Sequence, residues 1–193
     1  MLKFMKTCNH QPKKIFSHDG VNYYSSDEDN AISFDGDLVV NLTQSPGIRT
    51  LSGAYDIPAL SPHLIQLPPE IVLGWIDMSR PPVKSSFWTA LHLYCKNNKY
   101  KDVLFHCEHG HGRTGTALCA MLTALKHTSI KTAIEEVRES HCQFAVESEK
   151  QIEYLLLLDN ELNGRLLPEE EEDLEKLVDS LLPPRLINRS LKG

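Results

Sequence analysis

The sequence predicts an α/β domain in which helices flank a small, mostly parallel central sheet. Three observations predict it. Short apolar runs lie in the first half of the chain and helix-periodic stretches in the second, an order that suits helices packed on one sheet. The run KDVLFHC, residues 101–107, is almost uninterruptedly apolar after its first two residues, as a central strand covered on both faces must be. A length of 193 residues suits one domain with room for an appended terminal element. That is long enough to bury a core without disulfides or metals.

The elements follow in order. Residues 1–30 are polar and mixed, with NYYSSDEDN (22–30) reading as short strand, then loop. DLVVNL (37–42) is a β-branched run stopped by TQSPG, and HLIQL (63–67) is a second candidate strand ended by Pro68 and Pro69. GWIDMSRPP (74–82) reads as a loop closed by prolines. Phe87, Leu91 and Tyr94 have helical spacing, so residues 85–98 read as a helix with Ser85 or Ser86 as cap. Residues 113–126 are apolar on almost every side, which predicts a core helix. Residues 129–140 and 147–162 are two amphipathic helices, and residues 164–168 break the pattern. PEEEEDLEKLVDSLL (168–182) opens with Pro in the first turn and acids at the positive end of the dipole. It is expected as a solvated terminal helix, ahead of a docked helix or a partner-binding arm, with a basic tail after it.

Composition narrows the function. Hydrophobic residues make up 41% and charged residues 24%, ordinary values for a soluble globular protein. The net charge of −6 argues against nucleic acid as the main ligand, which requires excess Lys and Arg. No apolar run approaches the roughly 18 residues of a membrane span, and MLKFMKTCNHQPKK lacks the apolar middle of a secretory signal. A cytoplasmic location with free thiols is expected for the five cysteines. Cys8, Cys95, Cys119 and Cys142 read as ordinary thiols.

The chemistry concentrates in LFHCEHGHGRTGTALC, residues 104–119. His106, His109 and His111 surround Cys107, but no second ligand pair follows at zinc spacing. A Walker loop would need a lysine that is absent from the needed place. Gly110, Gly112 and Gly115 match G-x-G-x-x-G, but that fingerprint calls for an acid on a following strand, and helix continues here. A cradle for one phosphate explains more residues. A strand delivers Cys107 to the loop, Gly110 and Gly112 let the backbone turn its N–H groups inward, and a helix N-terminus adds partial positive charge. Arg113 supplies a planar fork for two phosphate oxygens. That field favours a thiolate at Cys107, which can attack phosphorus and carry the phosphoryl group.

The stretch His106-Cys107-x5-Arg113-Thr114-Gly115 resembles the signature of the cysteine-dependent tyrosine and dual-specificity phosphatases. The resemblance implies Cys107 as nucleophile and Arg113 as the clamp on phosphate and transition state. It implies that His106 orients the loop, that Thr114 stabilises the departing thiolate, and that Glu108, His109, Gly110, His111 and Gly112 form the phosphate-binding loop. The family places its general acid on a loop about 30 residues upstream. WIDMSRP keeps the spacing Trp75-x-Asp77-x3-Pro81, with Ile76 and Ser79 where Pro and Gly are common. Asp77 is therefore expected as the acid, with Asp56 a distant second. AVESEKQIEYL resembles the family's water-positioning segment, with Gln151 as its second glutamine and Glu147 in place of the first.

The resemblance covers about residues 37–158 and implies four or five strands between helices. It divides the chain into an N-terminal extension over 1–30 that can hold short strands, a phosphatase domain over 31–163, and an acidic helix with a basic tail over 164–193. The expected function is phosphomonoester hydrolysis through a phosphocysteine, most often of a phosphoprotein or phosphopeptide, with no cofactor and no metal. Glu108 opposes the lysine-rich loops of phosphoinositide enzymes. The Trp-containing acid loop leans toward phosphotyrosine, and a shallow pocket toward dual specificity. The alternatives are an RNA 5′-triphosphatase or phosphoinositide phosphatase of the same superfamily, a phosphopeptide-binding module without turnover, and a rhodanese- or arsenate-reductase-like thiol enzyme. Spacing does not decide whether Cys95 or Cys142 can form a disulfide with Cys107.

Overall fold

The computed structural model describes residues 8–44 and 68–183. Their sheet is built around the most apolar segment, Asp102–Cys107, whose last five residues are all buried. In chain order the strands are β1 (Lys13–His18), β2 (Val21–Asp27), β3 (Leu38–Asn41), β4 (Glu70–Val72) and β5 (Asp102–Cys107). They pair in the order β1-β2-β5-β3-β4. The β2–β5, β5–β3 and β3–β4 pairs are parallel, and only β1–β2 is antiparallel.

The described helices are α1 (Glu28–Ala31), α2 (Ser86–Asn97), α3 (Gly112–Lys126), α4 (Ile130–Ser140), α5 (Glu149–Asn163) and α6 (Glu171–Leu181). Alternation along the strands divides the core. Val103, Phe105 and Cys107 of β5 join Leu38, Val40 and Tyr23 against helices α2 to α6. Leu104 and Val39 face the other way, onto Ala31 and Phe34. The run from Gly112 to Thr123 is buried throughout, so α3 is the core helix its composition predicts. It packs on β5 and against α2, α4 and α5.

Several elements differ from the sequence reading. The segment read as an N-terminal extension does hold the short strand read at its end, here β2, together with β1, but β2 lies directly beside β5 in the central sheet. The β2 side chains alternate toward the core, and β1 caps the sheet edge with one buried residue, Phe16. Strand β4 begins after Pro69, in a stretch given no element by the sequence, because Glu70–Val72 extends the sheet beside β3 in parallel register. Ser85 stands at the N-cap of α2 without a side-chain cap bond. Helix α6 starts at Glu171, so Pro168 lies before the first turn, not in it. Nor is α6 a solvated helix. Val178 and Leu181 are buried in the main core, and Arg138 Nη2 donates to Leu181 O at 2.7 Å. Its apolar positions form one stripe, which suffices to dock it. The candidate strand 63–67, Asp56 and the end of the basic tail lie outside the described residues. No described helix is long and apolar enough to cross a membrane.

Candidate active site

Cys107 closes β5, and the chain reaches the N-terminus of α3 five residues later. Parallel strands on both sides of β5 place this loop at the carboxyl end of the sheet, where α/β folds hold ligands. Gly110 has φ +72°, and a Cβ there would lie 2.9 Å from His10 Cδ2 and 3.0 Å from Ser26 O. Only glycine meets both conditions. The loop is also tied to the start of α1, since Glu28 N donates to Glu108 O at 3.4 Å.

Arg113 is buried despite its charge. Its Nη1 donates to Trp75 O at 3.1 Å, its Nε stands 3.2 Å from Asp77 Oδ1, and its Nη2 stands 3.8 Å from Glu108 Oε2. The structure thus brings the expected clamp and the expected acid together. The acid loop is held by Trp75, which is fully buried and whose Nε1 donates to Ser79 O at 2.9 Å. Met78 turns it with φ +57°. Asp77 is left 58% exposed at the mouth, with Ile76 and Met78 exposed beside it.

Four buried polar atoms around this point have no hydrogen-bond partner among the described residues: Arg113 Nε, Thr114 Oγ1, His106 Nδ1 and Gln151 Nε2. Native proteins leave few such groups, so their concentration here marks a place built to receive polar atoms. His106 turns Nε2 toward the buried Glu70 carboxylate at 3.9 Å, and that carboxylate accepts from Asn41 Nδ2 at 2.9 Å. His109 is exposed on the loop.

Glu147 and Gln151 also come to the loop. Glu147 Oε2 accepts Gly112 N–H at 3.0 Å, and Oε1 stands 3.5 Å from His111 Nδ1. Gln151 Oε1 accepts Glu147 N–H at 2.8 Å in a capping box with Ser148. Val146 precedes them with φ +61°, a left-handed conformation unusual for a β-branched residue. Arg138 holds this strained turn by donating from Nε to Ala145 O at 3.1 Å. Gly115 packs against the same turn, where a Cβ would lie 2.6 Å from Ala145 Cβ and 2.9 Å from Val146 N. Gly115→Ala is expected to be destabilising. Overpacking costs about 1–3 kcal/mol, more than the up to about 1 kcal/mol that alanine gains in a helix. The urea midpoint should fall; a rise would show that the turn yields freely.

His141 was not singled out by the sequence, yet it supports the loop directly. Its Nε2 bonds Gly110 O, and its Nδ1 lies 2.9 Å from Ser25 Oγ. A carbonyl can only accept, so Nε2 carries the proton and Ser25 donates to Nδ1. Burial lowers its pKa to about 4. An unfolded His titrates near 6.5. Between these values the unfolded chain binds more protons, so stability falls as pH drops from about 6.5 to about 4, and this contribution is complete above 6.5. The shift corresponds to about 3 kcal/mol. The urea midpoint measured from pH 7 to pH 4 should drop, and His141→Gln should flatten that slope; an equal slope in both proteins would refute the assignment. Burial also pushes the thiol of Cys95 up to about 11 and that of Cys119 higher still, so neither is a ready nucleophile.

Comparisons with known proteins bear on the fold and on the stretch that holds these residues. The family model of protein-tyrosine phosphatase matches residues 69–158, from β4 through the acid loop and the Cys107 loop into α5. Two uncharacterized proteins of Methanocaldococcus jannaschii are similar to part of the chain. MJ0215 is 48% identical over 59 residues, 31% of this chain and 35% of its own length. MJECL20 is 43% identical over 56 residues, 29% and 36% of the two lengths. The matches span about a third of these relatives. Among solved structures, a mouse putative dual specificity phosphatase complexed with zinc tungstate superposes with a TM-score of 0.57. It is 14% identical and covers 88% of this chain and 100% of its own. Tk-PTP in its active form gives 0.55 at 23% identity, covering 81% and 98%. At these identities the superpositions speak for the fold. The chain thus shares the fold of these phosphatases, and the stretch over residues 69–158 is similar to the protein-tyrosine phosphatase family.

Proposed function

We propose that this protein hydrolyses phosphate monoesters through a phosphocysteine intermediate, acting on phosphoproteins or phosphopeptides. The observation that carries the reading is the setting of Arg113. It is buried beside the Cys107 loop, anchored by Trp75 O and paired with Asp77. In the first step the Cys107 thiolate forms an S–P bond as the P–O bond to the leaving group breaks, and Asp77 gives its proton to the leaving oxygen. The Arg113 fork and the loop N–H groups hold the equatorial oxygens. In the second step water attacks phosphorus, Asp77 takes its proton, and the S–P bond breaks. The Thr114 hydroxyl then donates to the departing thiolate. Gln151 Nε2 and Glu147 stand by Gly112, positions from which they can orient that water. The thiol requirement implies a reducing compartment.

The mouth favours an aromatic phosphoester on a peptide. Exposed Ile76 and Met78 flank Asp77, an apolar rim for a ring or peptide side chain. Glu108 near Arg113 repels the further phosphates of a phosphoinositide headgroup or a triphosphate. Asp77→Ala is expected to lower kcat on a phosphotyrosine peptide by roughly 10²-fold, the scale of general-acid catalysis; an unchanged kcat would move the acid elsewhere. A panel of phosphotyrosine peptide, phosphothreonine peptide, phosphoinositides and 5′-triphosphate RNA tests the substrate class. The phosphotyrosine peptide should turn over fastest, and faster turnover of the lipid or RNA would overturn the assignment.

A further inference from the structure

One cluster beside the loop includes His111 of the loop itself but is given no role in the steps above. Cys8 and His10 come from the segment before β1, His111 from the loop, and Cys142 from the turn after α4. Each offers one ligand atom, and these atoms all lie within 4.8 Å of one another. His10 Nε2 and His111 Nε2 are buried and have no hydrogen-bond partner among the described residues. Ring packing does not account for them. His10 meets His111 edge-on at 4.9 Å and His141 at 4.6 Å, but such contacts leave both nitrogens desolvated, an unfavourable state for a polar atom.

The geometry points to a divalent metal site of the Cys2His2 type, fitted to Zn²⁺, formed by Cys8, His10, His111 and Cys142. Two thiols and two imidazoles are the donor set that selects zinc in closed tetrahedral sites. With Zn–S about 2.3 Å and Zn–N about 2.0–2.1 Å, tetrahedral donors stand about 3.3–3.8 Å apart. The present donors therefore need to draw in by roughly 1 Å to meet that spacing, a change within reach of side-chain rotation. Both thiols ionise on binding and release their protons.

The surroundings of His111 strengthen the case. A metal-bound imidazole usually gives its other N–H to a carboxylate, which fixes the tautomer and ring orientation. His111 Nδ1 faces Glu147 Oε1 at 3.5 Å, and the same carboxylate accepts Gly112 N–H at 3.0 Å. A metal on Nε2 would thus be joined through His111 and Glu147 to the backbone of the loop. Its role is positional. It takes no atom from Cys107, Arg113 or Asp77, and it fastens the N-terminal segment and the 141–142 turn to the loop.

The test is metal content of the full chain, reduced, loaded with Zn²⁺ and desalted. Inductively coupled plasma and native mass spectrometry should find one zinc per chain in wild type and in Cys107→Ser. They should find none in Cys8→Ala or Cys142→Ala, with circular dichroism confirming that both variants fold. Co²⁺ in the wild type should show tetrahedral ligand-field and thiolate charge-transfer bands, which Cys8→Ala removes. Wild type that retains no zinc would overturn the proposal, as would undiminished zinc in both alanine variants. Zinc lost from Cys107→Ser would overturn it too, by placing the ion on the catalytic thiol. The readout is stoichiometry, so it stands whether or not the chain proves to be a phosphatase.

Discussion

Cys107→Ser is expected to hydrolyse p-nitrophenyl phosphate at less than about one per cent of the wild-type rate, a barrier raised by more than about 2.7 kcal/mol. The reason lies in what surrounds the side chain. Cys107 is buried at the end of β5, and the proposed attack uses its sulfur, a far stronger nucleophile than a hydroxyl oxygen. His106 adjoins it in sequence, but its Nε2 is turned toward Glu70. A serine hydroxyl ionises far less readily than a thiol. Binding should survive, because the N–H groups of the loop and the Arg113 fork are untouched. Steady-state kinetics together with calorimetry of a phosphotyrosine peptide would separate the two effects. Residual turnover above about one per cent would sink the covalent mechanism. Loss of binding with loss of turnover would mean that the substitution had damaged the cradle.

How much of this was legible in the sequence depends on how local each feature is. Strand β5 and helix α3 announce themselves, since the last five residues of β5 and the run Gly112–Thr123 of α3 are buried and composition alone reveals that. Cys107, Arg113 and Thr114 sit on one strand–loop–helix unit, so their spacing encodes their geometry. Asp77 could be found because Trp75 and Pro81 mark its loop. Strand β1 could not be read, since an edge strand with one buried residue has almost no apolar pattern. Strand β4 has three residues and exists because β3 offers it a ladder. The supports of the loop are harder to read. His141 reaches Gly110 across 31 positions, and nothing in its neighbourhood says where the fold will bring it. Glu147 reaches Gly112 across 35, and only the resemblance of AVESEKQIEYL to the water-positioning segment points it to the site. The proposed metal site is the least local of all, because its donors come from three separate segments with no zinc spacing between them.

The same contrast between local motif and distant support makes Arg113→Lys informative. It is expected to lower kcat/KM by about 10³-fold, the loss associated with removing a preorganised transition-state donor. Charge is conserved, so the effect would isolate geometry. The guanidinium now makes three separate approaches: Nη1 to Trp75 O, Nε to Asp77 and Nη2 to Glu108. A lysine ammonium is a single point on a flexible stem. It can meet the Trp75 carbonyl or a phosphate oxygen, but it cannot present two parallel N–H groups to phosphate while remaining anchored. Both KM and kcat should therefore suffer, unlike Cys107→Ser, where binding persists, and unlike Asp77→Ala, where kcat falls alone. The thermal midpoint must be followed in parallel, because Trp75 O may not be left unpaired in the core without some cost. A folded Arg113→Lys protein that loses less than about tenfold, or about 1.4 kcal/mol, would show that Arg113 mainly anchors the acid loop. The clamp on phosphate would then have to come from the loop N–H groups and the helix dipole alone.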